Sequence, residues 1–412
     1  MVRPTLARGG PRPRPPPPAV VSDSLTDVLA GVRVVELAGV LAGPTAGQFL
    51  AELGAEVIKV ENARTRGDVT RTWRLPSEPE TDRPAYFCAA NWGKRSVALD
   101  LSREAGREAL AALVRTADVV LSAYKPGDAE RLGADARTLR QLRERIIVVE
   151  LSGYGPEVSR AGYDAVIQAE AGFTHLNGEP DGPPTKLPVA LMDLLAAHQI
   201  KEAVLAALFR RERTGTSAHL TLSLLDAALS ALANQGTAWL VAGHDPERMG
   251  SAHPQIAPYG TPFPTRDGDV VLAVGTDRQF AALCEVLGVD PAPEWSRNPG
   301  RVRDRDRLDA RLAEATAGWE REALLAALHA RAVPAGAVRR VSEALAEAER
   351  VVLRSGDLAG LRQAPFASAS LRPPPRYAEH SIALLREAGV APGTLAAWVR
   401  EGAVVDLPSR DA

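Results

Sequence analysis

Apolar residues recur along this chain with two alternating periods, and the alternation predicts strands separated by helices. Val32–Leu37 is a β-rich run, and Ala42-Gly43-Pro44 follows at once. Pro44 suits the first turn of a helix that continues through Phe49 and Leu50 to Gly54. Val57–Val60 is a second strand, closed by Glu61. Further strands fall at Val97–Leu101, Asp118–Leu121 and Ile146–Leu151, with a helix over Arg103–Thr116. A short apolar helix, Ala165–Gly172, leads into turn formers at Asn177-Gly178 and Pro180–Pro184. Leu187–Met192 reads as extended, and Asp193 then opens a long helix rich in Leu, Ala and Val. A strand at Ala218–Leu222 precedes an apolar helix, Ser223–Leu240, suited to a core or a subunit interface. After a change of character at Ala242–Arg248, one more αβ set follows. It comprises strand Val270–Val274, helices over Gln279–Leu287, Val302–Ala317 and Trp319–Ala330, and strand Ala335–Val338. The fold class is α/β: one large unit and one small.

Composition narrows the setting. The 412 residues suit two or three domains, and 45% apolar with 24% charged is ordinary for a globular protein. A net charge of −2 gives no electrostatic case for nucleic-acid or membrane partners. Two cysteines, Cys88 and Cys284, form no disulfide framework, and no apolar run is long enough to span a bilayer. A cytoplasmic location is expected. Residues 1–24, rich in Pro and Arg, read as a disordered leader or a mis-assigned start.

Three features carry candidate chemistry. Asp193 stands at the mouth of an apolar helix, where an acidic residue either caps the orphan N–H groups or serves as a nucleophilic carboxylate held ionised by them. Glycines at 39, 43 and 47 invite a dinucleotide reading, but their spacing is not G-x-G-x-x-G, and Pro44 removes an amide that a pyrophosphate would want. Arg71, Lys94 and Arg95 sit beside strand ends, where open α/β sheets bind ligands; the plainer reading of each is solvated surface charge. The seven histidines lack ligand spacing, so no metal is expected.

The order of motifs resembles that of the class III, CaiB/BaiF-type, CoA-transferases. It runs Gly67-Asp68-Val69-Thr70-Arg71, Asn91–Asp100 (NWGKRSVALD), Tyr124-Lys125-Pro126-Gly127 with Arg131 before Gly133, and Ser152-Gly153-Tyr154-Gly155. Gly162-Tyr163-Asp164, Gln168, Asp193 and Gly250–Tyr259 follow. The resemblance covers about residues 29 to 405. It implies a Rossmann-like large domain over 25–240, a linker and small α/β domain over 241–341, and a return to the large domain over 342–412. It also implies an interlocked homodimer. Asp193 would attack an acyl-CoA and carry CoA as an aspartyl thioester to a short, dicarboxylic acid. CoA would be held by Val40, Leu41, Ala42, Arg71, Lys94, Leu99, Lys125, Arg131 and Tyr163, with Asp164 and His253 at the acyl pocket. Acyl-CoA and a carboxylic acid are then the small-molecule partners, with no tightly bound cofactor. Two departures stand out: Asn62 replaces an arginine after strand two, and Ala197 replaces a glycine four residues beyond Asp193. A related branch, the α-methylacyl-CoA racemases, has histidine where this chain has Tyr163, whose ordinary pKa of about 10 suits no neutral-pH base. A catalytically silent acyl-CoA binder is the reading from another class.

Overall fold

Every second residue of the early strands faces the opposite side of one sheet, and both sides are apolar. In the computed structural model, which describes residues 25–407, six strands form this sheet: β1 (Arg33–Leu37), β2 (Glu56–Asn62), β3 (Lys94–Leu99), β4 (Val119–Ser122), β5 (Ile147–Ser152) and β6 (His219–Ser223). All neighbours are parallel, in the order β3-β2-β1-β4-β5-β6. Val34, Val57 and Val149 enter one core with the helices Ala42–Glu52 and Leu191–Thr214. Val35, Ile58 and Val148 enter the other, with Glu104–Val114 and the C-terminal helices Ser381–Glu387 and Pro392–Arg400. Burial on both faces is why these strands read as near-continuous apolar runs. The order reverses between β1 and β4, so a crevice opens beyond their carboxyl ends.

A second core surrounds a three-stranded antiparallel sheet of β7 (Tyr259–Thr265), β8 (Gly268–Ala273) and β9 (Ala335–Ala337). Phe263, Leu272, Phe280, Leu308 and Leu324 fill it. Pro262 and Pro264 hide β7 from pattern reading, and it lies at the sheet edge, where prolines are tolerated. A hairpin of β10 (Val352–Ser355) and β11 (Leu358–Leu361) follows. The chain then runs back along β3: Gly93 N–H donates to Arg372 (3.0 Å), His380 N–H to Ser96 (2.9 Å), and Val404 bridges Leu99.

Three expected elements differ. The Ser223–Leu240 helix is two, Leu224–Ser230 and Ala233–Ala242, broken where Ala233 takes φ +47°. Val302–Ala317 is likewise split at Asp304, whose carboxylate accepts the Trp295 indole N–H at 2.7 Å. Leu187–Met192, expected extended up to a helix opening at Asp193, stays outside the helix only to Ala190: the Gln168 side chain takes the Leu187 N–H (2.9 Å), and the helix begins at Leu191. The Pro/Arg-rich leader expected over residues 1–24 lies outside the described residues. Among those residues, no helix is long and apolar enough to cross a membrane.

Candidate active site

The crevice at the sheet's reversal is a cavity of about 310 Å³. The loop after β1 (Gly39–Gly43), the loop after β4 (Ala123–Pro126), the end of β5 (Leu151–Gly153), Arg160–Tyr163 and Asp193 line it. Gly153 lets two of these walls meet, since a Cβ there would stand 2.7 Å from the Gly162 backbone.

Asp193 is the third residue of its helix, not its cap. The N-cap position is Ala190, which has no side-chain bond to offer. The capping comes from elsewhere: Asp164 Oδ1 accepts the Met192 N–H at 2.8 Å, and Asp164 Oδ2 accepts from Gln168 at 2.7 Å. Gln168 also receives the Leu187 N–H, so the Gly162-Tyr-Asp and Gln168 motifs fasten the start of the Asp193 helix. Asp193 itself, 8% exposed, accepts no hydrogen bond among the described residues. Burial, and then the nearby charge of Asp164, push its pKa up to about 7. Between helix-start N–H groups that would hold it ionised and burial that opposes this, burial prevails: Asp164 takes the Met192 N–H and the Val189 carbonyl takes the Leu191 N–H. Tyr86 faces the same carboxylates: burial first, then Asp193, Asp164 and Asp68, raise its phenol above the ordinary value.

Of the residues expected to hold CoA, Val40, Leu41, Ala42, Lys125 and Tyr163 line the cavity with Asp193; Tyr163 is 63% exposed. Leu99 and Arg131 line a second cavity of about 140 Å³, together with Asn62 and Arg64. Tyr124 borders both cavities. Arg131 is paired with Asp128 (2.9 Å) on the surface, and Asn62 caps Arg64 N–H at 2.9 Å. Ala197 is wholly buried, one helical turn beyond Asp193. His253 lies outside the Asp193 cavity, half-buried against the Tyr259 ring at 5.2 Å.

Arg71 and Lys94 are corrected. Arg71 spends its guanidinium on Glu61 (2.8 and 2.6 Å) and on the Asp82 and Pro375 carbonyls. Lys94, fully buried, donates to Glu36 (3.0 Å), Asn91 (3.0 Å) and the Pro44 carbonyl (2.8 Å). An ammonium has three donors, so none of Lys94's remains for a diphosphate. Arg95 likewise pairs with Glu56 and Glu387.

Sequence reading missed Arg160, which lines the Asp193 cavity, stacks 3.8 Å over the Tyr154 ring and is held by Glu170 (2.8 and 2.6 Å). It also missed the role of Glu36 and Lys59. Their signal was present: charges inside strands buried on both faces must find partners there. Gly47 has the same origin, because a Cβ there would fall 1.8 Å from Glu36 Oε2.

Known proteins match most of this chain. The family model described as CoA-transferase family III matches residues 29–386. The succinate–glutarate CoA-transferase of Agrobacterium fabrum is 38% identical, covering 87% of this chain and 95% of its own. The succinyl-CoA:mesaconate CoA-transferase of Haloarcula marismortui is 34% identical over 89% and 98%. The crystal structure of a CaiB/BaiF family protein from Brucella suis superposes with TM-score 0.76 at 38% identity, covering 88% of this chain and all of that one. A cavity at the sheet's reversal, a buried carboxylate in it, and a match across most of the chain lead to one assignment: the protein belongs to CoA-transferase family III.

Proposed function

We propose that this enzyme moves CoA from an acyl-CoA to a short dicarboxylic acid, with Asp193 as the covalent nucleophile. The observation that carries the reading is the carboxylate of Asp193: buried at a cavity wall, free of hydrogen bonds, and therefore undiminished as a nucleophile once ionised. An Asp193 oxygen attacks the thioester carbon, the C–S bond breaks, and an acyl-aspartyl anhydride and CoA thiolate result. The thiolate attacks the aspartyl carbonyl, releasing the donor carboxylate and leaving aspartyl-CoA. The acceptor carboxylate then repeats the sequence in reverse. One anion replaces another at each step, so no proton has to be delivered. The first-turn N–H groups of Leu41, Ala42 and Gly43 have no acceptor among the described residues and line the cavity, which suits the oxyanions.

CoA would lie across Tyr124, its nucleotide towards Arg64 and Arg131 and its thioester beside Asp193. A dicarboxylic acceptor fits the cations that line the Asp193 cavity. Arg160 uses two of its five N–H groups on Glu170 and keeps the rest for a second carboxylate. The named activities of the relatives favour the same substrates. A homodimer is supported by the Ala233–Ala242 helix, none of whose residues is buried although Trp239, Leu240 and Val241 are apolar. Residues titratable near neutrality at the Asp193 wall do not include histidine, which favours transfer over the paired-base racemase.

The test is a trapping experiment. Protein incubated with succinyl-CoA and then borohydride or hydroxylamine should carry a modification on Asp193, read by peptide mass spectrometry. An unmodified Asp193 in protein that transfers CoA to glutarate would overturn the covalent reading.

A further inference from the structure

Behind the cavity wall lies a cluster of buried charges that touches no open space: Glu36 on β1, Lys59 on β2, Lys94 on β3 and Asp68 in the loop after β2. Their side chains are at most 1% exposed. Lys59 pairs with Asp68 at 2.9 Å and with Glu36 at 3.3 Å, and Lys94 pairs with Glu36. Two acids thus balance two bases. Balance explains why the cluster is tolerated, not why it is there, since well-packed apolar side chains are often as stabilising as a buried ion cluster.

The remaining bonds of these side chains end on one short loop. Lys59 donates to the Ala38 carbonyl at 2.9 Å. Both Asp68 oxygens accept the Val40 N–H, at 3.3 and 3.2 Å. Lys94 donates to the Pro44 carbonyl at 2.8 Å. Between these three points, Val40 is held at φ +65°, a left-handed conformation that a β-branched residue does not take unaided. The front of the same loop, Val40–Gly43, forms the cavity wall next to Asp193 and carries the free first-turn N–H groups.

We propose that Asp68, Lys59 and Lys94 are positioning residues: from behind, they clamp the Ala38–Pro44 loop so that its N–H groups face the reacting carbonyl. Asp68 is the central one, because it holds the strained residue. The inference rests on the transferase reading of this cavity, although the clamp itself can be observed without turnover. An apolar cluster could fill the same volume but could grip no backbone atom, so this role accounts for charge where packing alone does not.

The test is Asp68→Ala in two backgrounds, wild type and Val40→Gly, using the full chain. Glycine takes a positive φ without strain, so it lessens the need for the clamp. In the Val40 background, D68A should lower kcat for succinyl-CoA-to-glutarate transfer on the order of 10²-fold, the usual cost of a small misplacement at a reacting centre. In the V40G background the same change should cost less than about 10-fold. Hydrogen–deuterium exchange of the peptide spanning residues 38–46 should speed up in D68A. Should D68A not fold, Asp68→Leu in both backgrounds carries the same comparison, because it removes the acceptor for the Val40 N–H while filling the volume of the carboxylate. Equal losses in the two backgrounds, or unchanged exchange at residues 38–46, overturn the proposal. Absence of any CoA transfer by the wild type would instead sink the transferase reading, while the exchange measurement still judges the clamp.

Discussion

Replacing Asp193 with asparagine should abolish transfer, and it should also make the protein more stable, increasingly so as pH rises. The carboxyl's pKa is raised from 3.8 to about 7 in the folded chain. In the unfolded chain it returns to about 3.9. Between those values the folded state keeps a proton that the unfolded state has lost, so stability falls as pH rises. The contribution is whole below about pH 4, declines through the interval, and is gone above about pH 7. Roughly three pKa units at about 1.36 kcal/mol each give up to about 4 kcal/mol. Asparagine, neutral at every pH, does not suffer this loss.

The assay is thermal unfolding of wild type and D193N at stepped pH values from 4.5 to about 8.5. Unfolding entropy of about 2.1 cal/mol/K per residue, over 412 residues, is about 0.9 kcal/mol/K, so the full effect is a rise on the order of 5 °C. All other titrating groups are common to both proteins and cancel in the difference. The Tm gap should be small near pH 4.5 and reach its plateau above pH 7. A gap that is constant with pH, or that narrows as pH rises, refutes the claim that burial leaves this carboxylate uncompensated.

Three further outcomes follow from the same geometry. On the proposed mechanism transfer needs ionised Asp193, so kcat/KM for the acyl-CoA should rise with pH through about 7 and then level. Asp164→Asn removes the like charge while keeping an acceptor for Met192, and should move that limb to lower pH; an unmoved limb means Asp164 is not the neighbour that matters. Arg160→Met should raise KM for glutarate about 10- to 100-fold while sparing butyrate, measured over a panel of free acids by mass spectrometry. Gly47→Ala drives a methyl into Glu36, and should lower stability by about 1–3 kcal/mol in urea titrations.

The sheet was readable from the sequence because parallel strands buried on both faces leave uninterrupted apolar runs, as at Val57–Val60. β7 was not, because Pro262 and Pro264 break the run at an edge. The order of motifs around Asp193 marked it as the candidate nucleophile, and Asp193 lines the cavity. Its hydrogen bonding was not readable. A helix-opening aspartate suggests a cap, and only the fold reveals that Asp164, on another helix, has taken that task. Arg71 and Lys94 failed for a related reason. A cation beside a strand end looks the same in sequence whether its donors meet a diphosphate or meet Glu61 and Glu36. The charges that decide the matter, Glu36 and Lys59, sit inside strands where apolar periodicity draws attention away from them.

A division of labour between two carboxylates follows from these placements. Any acidic residue near a helix start is drawn towards the unpaired N–H groups, and a carboxylate so engaged is well stabilised and a poorer nucleophile. Asp164 takes the Met192 N–H and is anchored by Gln168, which leaves Asp193 on the same turn with burial and a like charge and no compensating bond. The same turn therefore both secures the helix and keeps one carboxylate unsatisfied, at a cost in stability that the D193N titration measures. The loop opposite is built on a parallel plan. Its strained Val40 is held from behind by Asp68, so its N–H groups stay free at the front. On the proposed mechanism, the groups that react on both walls are kept unpaired because other charged residues, outside the cavity, have satisfied the backbone around them.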